Sequence, residues 1–578
     1  MGTISDKLMR IINTKEDIRQ ALISKGYDVP TSIPFKEYAK MILDLPCNAD
    51  SSPDIEGIVA RYSASGLTNE QMAANPVWVD KTGNGHDLQL KNFSWKGMSG
   101  VGGYVGDFSK WVNNRDTTEI GITKSNSKVI IDVKVSQGSG KNIVFISKSN
   151  LGISNNVTIK ITSTYPEGVM KFANSASNKY LKLPSNGIIT LQDNPEYTSN
   201  EMHLHLASAD LGQITIEQLP LYPGALVFDG VDDYGVCDNF PILTKEKGYT
   251  VVALRQWITY NPNAISAIAT NASDRSFNGA FTFENYNKGA EQTISYGATQ
   301  ISLQYSKSPF SWQTTSKYNG FNIANGNKDA TNSLVLGRSY PQRNEFANFA
   351  IWELVFLDYD ATEEELTKIK DYFVKTYPWL FPDQAWTVVG KTNEDEDRAT
   401  IANITGNGND LVLSNFGFAE GSGYNEEGEY AGYLVTDGVD DKITSSTFEM
   451  GNDWTVIGDW ELINTGKNAN AGIVKFNSIV IYNYNPILIN IKNGRNNLIP
   501  DQNTVNAICS DGRIYSKDWK ESIYNEETES TSKNFLTIGY SSNAYTKIAF
   551  KNLAIYPTVL SREDCIKAYN YLQTLKAK

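Results

Sequence analysis

Apolar and polar residues alternate along most of this chain, and Gly, Asn, Asp or Ser interrupts the alternation every few residues. A period of two predicts short β-strands joined by tight turns. KVIIDVKVS, NVTIKITS and QITIEQLP are three such runs. Residues 1–47, and a short segment at the end of each of two later regions, show a period of three to four, which predicts short helices. The pattern therefore favours a mainly β protein with a small helical region at its start.

One strand-like segment occurs twice. Leu226–Val236 reads LVFDGVDDYGV, and Leu434–Thr444 reads LVTDGVDDKIT, which indicates a duplicated module. In both copies apolar residues precede an Asp-Gly pair and a double Asp follows it, a pattern typical of a strand, a tight reversal and a second strand. We therefore predict a β-hairpin at each copy.

The spacing of other matched segments predicts an insertion. Gly66 and Gly390 open similar segments 324 positions apart, and the later pair Asp229 and Asp437 is only 208 apart. The first copy therefore contains about 115 extra residues, whose alternating runs predict a small β-sandwich within a surface loop of the first module. Each copy then closes with a helix that begins at a capping residue, Thr362 or Ser561. The first of these helices carries Leu366, Ile369 and Phe373 at helical spacing.

The repeated segments resemble the concanavalin A-like, laminin-G-type jelly rolls, whose recurring pattern is LxFDGxDDYV followed by FTVxxWI. Leu226–Tyr234 and Leu434–Asp441 match the first part, and Tyr249–Ile258 and Trp454–Glu461 match the second. The second copy departs from it, with Thr436 for Phe and Glu461 for Ile. The resemblance implies a fold, two jelly-roll β-sandwiches, and no single activity.

The helical region carries a second resemblance. Lys15 through Ile42 read KEDIRQALISKGYDVPTSIPFKEYAKMI, which is similar to a short module near the termini of tailed-phage structural and fibre proteins. The alternative is a generic helical hairpin. The resemblance implies attachment to a virus particle. The predicted organisation is a helical attachment module at 1–47, a first jelly roll at 55–108 and 224–382, an inserted β-sandwich at 109–223 and a second jelly roll at 383–578.

Charge, hydropathy and cysteine spacing indicate which partners and which cellular compartment suit this chain. The net charge of −13 and the absence of a Lys/Arg-rich stretch oppose nucleic-acid binding. The polar start and the lack of about 18 consecutive apolar residues disfavour Sec export and membrane insertion. The widely spaced cysteines predict free thiols formed in a reducing compartment; they are Cys47, Cys237, Cys509 and Cys565.

The two DGVDD segments supply the candidate metal ligands. Carboxylate oxygens suit calcium, so six residues are calcium candidates: Asp229, Asp232, Asp233, Asp437, Asp440 and Asp441. The competing interpretation is structural, because Asp in a turn accepts hydrogen bonds from nearby backbone N–H groups. No cofactor is otherwise expected. The residues that follow DGVDD, Tyr234-Gly-Val and Lys442-Ile-Thr, differ between the copies without an evident constraint.

Catalytic and sugar-binding residues are less well defined. Retaining glycosidases of this fold place paired carboxylates on one strand in an ExDxxE pattern, and the chain contains no such pattern. We therefore expect a protein that is not an enzyme. Aromatic side chains offer platforms for sugar rings. The candidates are Trp257, Trp352, Trp379, Trp386, Trp454, Trp460, Tyr340 and Tyr482, of which Trp257 and Trp460 occupy matched strand positions typical of a core.

These observations favour a non-enzymatic virion protein of a tailed phage. It would be a tail fibre, head fibre or surface appendage that is made in the host cytoplasm and released by lysis. Residues 1–47 would bind other virion proteins, and the jelly rolls would bind host-surface glycans for host attachment, with a homotrimer as one oligomeric state. The alternatives are a decoration protein without glycan binding, a polysaccharide depolymerase and a bacterial surface lectin.

Overall fold

The computed structural model describes part of the chain. The described residues are 15, 19, 52–112, 118–136, 141–146, 157–166, 169–174, 180–191, 202–206, 211–243, 247–259, 267–273, 282–283, 300–305, 330–338, 344–426, 430–463, 472–476, 479–482, 487–491, 495–499, 505–516, 519–523, 536–541 and 544–577. The chain divides into two compact units, one of residues 1–55 with 364–376 and one of 56–363 with 377–578. Apart from Lys15 and Arg19, the predicted 1–47 module lies outside the described residues.

The second unit begins with a group of short elements that are rich in turn residues. They are β1 (Ile58–Ser63), α1 (Asn69–Ala74), β2 (Val77–Trp78), β3 (Leu88–Lys91), β4 (Gly100–Val101) and the 3-10 helix η1 (Phe108–Lys110). Helix α1 begins where the Thr68 hydroxyl accepts a hydrogen bond from the backbone N–H of Gln71 at 3.2 Å. The matched Gly66–Glu70 segment of the sequence therefore contains a helix cap.

Nine strands follow between η1 and the first DGVDD segment. They are β5 (Ile120–Lys124), β6 (Lys128–Val133), β7 (Lys141–Ile146), β8 (Val157–Ser163), β9 (Met170–Asn174), β10 (Tyr180–Lys182), β11 (Asn186–Leu191), β12 (Met202–Leu206) and β13 (Gly212–Gln218). They form two antiparallel sheets in the orders β10-β9-β12-β7 and β11-β8-β13-β6-β5. Alternate residues of β6 and β13 are buried in one apolar cluster, which also contains Phe108 and Trp111. The limits 109–223 remain a prediction.

The remainder of the first repeat completes two further sheets. Its elements are β14 (Leu226–Asp229), β15 (Tyr234–Cys237), β16 (Thr250–Trp257), β17 (Ala269–Ala272), β18 (Thr282–Phe283), β19 (Gln300–Tyr305), β20 (Ala330–Leu336) and β21 (Asn348–Leu357). One sheet has the order β19-β16-β21-β14-β4, with β1 also paired to β21, and the other has the order β18-β17-β20-β15-β3-β2. Leu88 and Leu336 of one sheet and Phe228 and Phe349 of the other belong to one buried cluster, so the sheets form a sandwich.

The helix after β21 belongs to the first compact unit. It is α2 (Glu363–Thr376), and its buried residues include Leu366, Ile369 and Phe373, the three that the helical spacing predicts. These residues are three to four positions apart and therefore share one face of the helix.

The second repeat has the same two-sheet arrangement. Its elements are η2 (Pro378–Leu380), β22 (Gln384–Thr387), β23 (Thr400–Ile401), β24 (Leu411–Ser414), β25 (Gly423–Tyr424), β26 (Leu434–Val435), β27 (Lys442–Ser445), β28 (Thr455–Leu462), β29 (Gly472–Phe476), β30 (Ile479–Tyr482), β31 (Ile487–Ile491), β32 (Arg495–Ile499), β33 (Val505–Cys509), β34 (Arg513–Ser516), β35 (Glu521–Ile523), β36 (Leu536–Ile538), β37 (Tyr540–Ser541), β38 (Ala544–Tyr545), β39 (Ile548–Tyr556) and α3 (Arg562–Leu572). Ser561 caps α3 by accepting a hydrogen bond from the backbone N–H of Asp564, as predicted.

The sheets of the second repeat also enclose one core. One sheet has the order β25-β26-β39-β28-β33-β34-β35, with β22 also paired to β39, and the other has the order β23-β24-β27-β36-β29-β30-β31-β32. Buried residues of both sheets, such as Phe550 and Ile538, belong to one apolar cluster. Both repeats interrupt the pairing of their long central strands at the same place, opposite Trp352 in the first and Lys551 in the second.

The mainly β fold class, with β-sandwich domains and a short helical segment, is confirmed. The described cysteines Cys237, Cys509 and Cys565 are free, as predicted, and all three are buried; Cys47 lies outside the described residues. Among the described residues, no helix combines the length and apolar character that a membrane span requires.

Candidate functional site

The two DGVDD segments are corners between sheets, and the predicted hairpins are wrong. Strand β14 pairs with β21 and β4, whereas β15, which follows it, pairs with β20 and β3 in the opposite sheet. In the second repeat β26 and β27 are separated in the same way. Each DGVDD segment therefore carries the chain from one layer of its sandwich to the other.

Carboxylates hold the first corner in place. Asp229 Oδ1 accepts hydrogen bonds from the backbone N–H groups of Val231 at 2.8 Å and Asp232 at 3.3 Å. Asp233 Oδ2 accepts one from the backbone N–H of Asp229 at 3.0 Å. Because these carboxylates satisfy the turn's donors, the chain can change sheets without a ladder between β14 and β15.

The second corner repeats these bonds at equivalent atoms. Asp437 Oδ1 accepts from the backbone N–H groups of Val439 at 2.7 Å and Asp440 at 3.2 Å, and Asp441 Oδ2 accepts from that of Asp437 at 2.7 Å. The tip residues Val231 and Val439 are both 71 % exposed. The two corners thus have the same backbone hydrogen-bonding pattern, and each presents a protruding tip to solvent.

The last Asp of each corner is fully buried. Burial, the largest cause, raises the pKa of Asp233 from its ordinary 3.8 to about 7 and that of Asp441 to about 6. Hydrogen bonds from the Asp229 and Asp437 amides oppose these shifts, and the neighbouring Asp residues add to them. Each corner therefore contains a carboxyl group that titrates near neutral pH.

The six calcium candidates form two groups, one at each corner. Within each group the three ligand atoms lie within 4.8 Å of one another, and a set of carboxylate oxygens suits calcium chemically. Asp229 and Asp437 would contribute oxygens that already accept backbone hydrogen bonds, whereas Asp232 and Asp440 are exposed. The geometry supports the structural interpretation directly, and calcium binding stays a prediction.

A loop before β4 is bonded to the first corner. The Ser99 hydroxyl donates to Asp233 Oδ1 at 2.9 Å and accepts from the backbone N–H of Ser94 at 2.8 Å. Lys96 and Ser99 close the loop with an isolated antiparallel bridge. The second repeat closes the equivalent loop with a bridge between Ala419 and Ser422. These loops, residues 94–99 and 417–422, are called the corner loops below.

Asn69 and Asn393 lie three residues after the matched Gly66 and Gly390, and each is hydrogen-bonded to the strand that follows its corner loop. Asn69 donates from its amide to the carbonyl of Val101 and accepts from the Val101 N–H at 2.8 Å. Asn393 makes the same two bonds to Tyr424. A Cβ at Gly100 would lie 2.5 Å from Asn69 Oδ1 and 3.0 Å from the Cα of Trp95, so this position requires glycine.

Each corner loop carries an aromatic residue with left-handed backbone geometry. Trp95 has a φ of 54° and Phe418 a φ of 50°. The two positions are 323 apart, the separation of the equivalent Ser99 and Ser422. For a bulky residue this conformation is unusual and costs about 1–2 kcal/mol relative to glycine. The pair has a signal in the sequence: residues 92–100 (NFSWKGMSG) and 415–423 (NFGFAEGSG) share Asn, Phe, an aromatic residue, Ser and Gly at equivalent positions.

The two aromatic rings also share their surroundings. Trp95 stacks on the buried ring of Phe93, with centroids 4.8 Å apart and an interplanar angle of 17°. Phe418 packs beside the buried Phe416 at 6.0 Å, and the guanidinium of Arg398 lies 5.0 Å from its centroid. Both Trp95 and Phe418 are partly exposed, so each ring retains a solvent-facing portion.

On the strand that leaves the first corner, a cation contacts two aromatic rings. The Arg338 guanidinium lies 4.9 Å from the centroid of Tyr234 and 5.8 Å from that of Phe346. Arg338 and Phe346 form an isolated antiparallel bridge, and Tyr540 and Tyr545 pair in the same way in the second repeat.

The second repeat exchanges the ring and the cation. Lys442 occupies the position of Tyr234, and its ammonium lies 5.8 Å from the centroid of Tyr540, which occupies the position of Arg338. Tyr540 packs on Tyr545 with centroids 4.9 Å apart. The variation after DGVDD is therefore compensated, because each repeat keeps one cation beside aromatic rings.

The tryptophans proposed as sugar platforms are core residues. All six are at most 6 % exposed: Trp257, Trp352, Trp379, Trp386, Trp454 and Trp460. Their large apolar surfaces favour the interior of the sandwiches. The platform prediction is therefore wrong for Trp352, Trp379, Trp386 and Trp454, whereas Trp257 and Trp460 are buried as their predicted core positions require. Tyr340 and the side chain of Tyr482 lie outside the described residues.

The predicted equivalence of Trp257 and Trp460 is also wrong. Trp257 pairs with Phe349, and Trp460 pairs with Phe550, which is two residues beyond the equivalent of Phe349 in β39. By register Trp257 matches Leu462, because both face equivalent positions of the central strand. Each tryptophan is buried in the core of its own repeat, but the two occupy positions that are not equivalent in the register.

Comparison with known proteins gives structural likenesses. No family model matches this sequence, and no curated protein matches it. A Trypanosoma rangeli sialidase in complex with sialic acid aligns at 8 % identity and a TM-score of 0.24, covering 82 % of this chain and 97 % of the sialidase. The receptor-binding domain of botulinum neurotoxin type G aligns at 12 % identity and a TM-score of 0.21, covering 32 % of this chain. This chain spans 50 % of the length of that domain.

A third likeness is to the Sulfolobus turreted icosahedral virus, at 9 % identity and a TM-score of 0.13, with 81 % of this chain covered. The expectation that the chain is not an enzyme is wrong on this comparison, because the matched solved structures include sialidases, which are enzymes. With every TM-score below 0.5, these likenesses carry no argument about what this chain binds or catalyses. The class that the structure defines is a mainly β protein with β-sandwich domains.

Proposed function

We propose that this chain is a surface appendage of a tailed-phage virion, a fibre or a head or tail decoration, whose β-sandwich repeats bind host-surface glycans. Attachment to the particle through residues 1–47 is supported by the similarity of Lys15 through Ile42 to phage virion proteins. Other virion proteins are then its partners through this segment, and a homotrimer is one arrangement consistent with a fibre.

One structural observation supports the binding role. The two repeats keep the same corner, down to the equivalent Asp229 and Asp437 hydrogen bonds, while the surfaces beside it differ. Tyr234 and Arg338 in the first repeat become Lys442 and Tyr540 in the second. All four of these residues are half-buried. A constant scaffold with variable, partly exposed residues is typical of modules that present binding surfaces.

The binding half is tested with the full-length chain on immobilised bacterial surface polysaccharides, both neutral and acidic. We expect saturable binding to a subset of them. The attachment half is tested by removing residues 1–47 from the gene in the phage. We expect particles that lack the protein, although the truncated chain is still produced in infected cells. Failure to bind any polysaccharide, together with normal infection by virions lacking the protein, would refute the adhesin role.

A further inference from the structure

We propose that Trp95 and Phe418 are stacking platforms, each for one sugar ring of a neutral polysaccharide. This inference rests on the glycan-binding function proposed above and assigns it a site in each repeat. The site consists of the corner loop and the adjacent tip of the DGVDD corner. It is distinct from the buried tryptophans and from the ring and cation pairs at Arg338 and Lys442.

The two aromatic residues lie at equivalent positions of the two repeats. Trp95 and Phe418 occupy equivalent places in corner loops that both end in an antiparallel bridge, Lys96 with Ser99 and Ala419 with Ser422. The glycine directly after each corner loop, Gly100 or Gly423, leaves room for the backbone of the aromatic residue. A Cβ at Gly423 would lie 2.9 Å from the Cα of Phe418. The fold therefore fixes both aromatic residues in one backbone geometry.

The backbone at Trp95 and Phe418 adopts a conformation that favours glycine. Glycine adopts a φ near 50° without the steric clash that a Cβ introduces, and asparagine tolerates it better than an aromatic residue does. Both repeats nevertheless place a large aromatic side chain at this position, with φ values of 54° and 50°. Residues held in such conformations cluster at ligand-contacting sites, where the side chain serves a purpose that the backbone opposes.

Neighbouring side chains hold both rings in place. Trp95 stacks on the buried Phe93. Phe418 packs beside the buried Phe416 and Tyr424, and the guanidinium of Arg398 lies over its ring, 5.0 Å from the centroid. Both rings remain partly exposed. A pyranose presents a face of C–H groups that packs against an aromatic ring, and a ring that is already fixed loses little conformational entropy on binding.

The acidic tips beside the loops favour a neutral sugar over an anionic one, and the cations Lys96 and Arg398 lie beside the two rings. Asp232 lies at the tip of the first DGVDD corner, and its carboxylate is exposed. The side-chain amide of Asn92 donates a hydrogen bond to the backbone carbonyl of Asp232 at 3.0 Å, which joins the tip to the segment before the corner loop. Asn415 makes the equivalent bond to the Asp440 carbonyl at 3.0 Å. Exposed carboxylates accept hydrogen bonds from sugar hydroxyls and repel anionic groups, and the net charge of −13 acts in the same direction.

A purely structural role would make Trp95 and Phe418 covers for the edges of the two cores, since both pack against them. Leu67 and Met450 are the matched comparison, because they are also partly buried and pack against the same two cores. A structural cover depends on apolar bulk, whereas a stacking platform depends on the aromatic ring. Substitutions that change one property and keep the other distinguish these roles.

The experiment uses the full-length chain and the polysaccharide panel described above, with affinities measured by biolayer interferometry. We expect Trp95→Leu and Phe418→Leu each to weaken binding to a neutral polysaccharide by about 3- to 10-fold, and the double variant by more than either. The aromatic exchanges Trp95→Phe and Phe418→Trp should retain binding within about twofold. The controls Leu67→Ala and Met450→Ala should leave affinity unchanged, and thermal unfolding checks that every variant is folded.

Four outcomes would each overturn a different part of the proposal. Binding by the parent chain with unchanged affinity in the double leucine variant would overturn the platforms and leave glycan binding in place. Binding restricted to acidic polysaccharides would overturn the neutral ligand class. Loss of binding in the aromatic exchanges as well as in the leucine variants would indicate a requirement for shape, and would overturn stacking. No binding by the parent chain would overturn the proposed function itself.

Discussion

The buried carboxyl group of Asp233 should make the stability of the first repeat depend on pH. Its pKa is raised by burial from 3.8 to about 7, so the folded chain holds this proton over a pH range in which the unfolded chain has released it. Stability from this group is fully present below pH 3.8 and is lost as the pH rises through about 7. The difference of about 3 pKa units corresponds to about 4 kcal/mol.

The substitution Asp233→Asn removes this titration and nearly preserves the side-chain shape. Its amide oxygen can still accept the Asp229 N–H or the Ser99 hydroxyl proton, the two hydrogen bonds that Asp233 receives. At pH 4 both chains carry a neutral group, whereas at pH 8 only the parent chain holds a buried carboxylate. We therefore expect the variant to gain stability relative to the parent between pH 4 and pH 8, by up to about 4 kcal/mol.

Urea unfolding, followed by the fluorescence of the buried tryptophans at a series of pH values, measures this difference. Asp232→Asn is the matched control, because it removes a carboxylate from the same corner at an exposed position. It should change the pH profile much less than Asp233→Asn. A stability difference between parent and Asp233→Asn that stays constant from pH 4 to pH 8 would refute the reasoning.

Three further predictions concern other parts of the two repeats. Lys551 is buried, and this burial lowers its pKa below the ordinary 10.5. The parent chain should therefore gain stability as the pH rises toward 10.5, and unfolding measurements at alkaline pH should show that Lys551→Met abolishes this gain. Tyr234→Lys and Arg338→Tyr should each destabilise the first repeat, and the double variant, which installs the arrangement of the second repeat, should recover about 0.5–1 kcal/mol in a double-mutant cycle; purely additive effects would contradict the compensation. Gly100→Ala should destabilise by about 1–3 kcal/mol because its Cβ meets Asn69 and Trp95, whereas Gly451→Ala, with no atom within 4 Å, should have little effect on the thermal midpoint.

The repeat architecture was accessible from the sequence because it depends on local patterns. Alternation predicted the strands, the matched DGVDD segments predicted two modules, and Ser561 predicted the start of α3. Hydrogen-bonding side chains at turns act over a few residues, so the importance of Asp229 and Asp437 for the turns was also visible.

The partners of each strand depend on residues that are distant in the sequence. A strand, a tight turn and a second strand describe both a hairpin and a corner, and only the pairing of β14 with β21 and of β15 with β20 distinguishes them. The burial of Trp352 and Trp454 is decided in the same way, by sheets that close over them. Local periodicity contains no information about which sheet covers a given face.

The pattern of residues along the chain is enough to show a duplicated, mainly β module with an Asp-rich turn in each copy. What surrounds that turn depends on long-range packing. This packing places Arg338 beside Tyr234 and Tyr540 beside Lys442, which shows that an apparently free difference is an exchange of ring and cation. It also brings the corner loop to Asp233 through Ser99, 134 positions away in the chain. The physical reason is that sheet pairing joins segments by long-range contacts, whereas sequence patterns report the preferences of neighbouring residues.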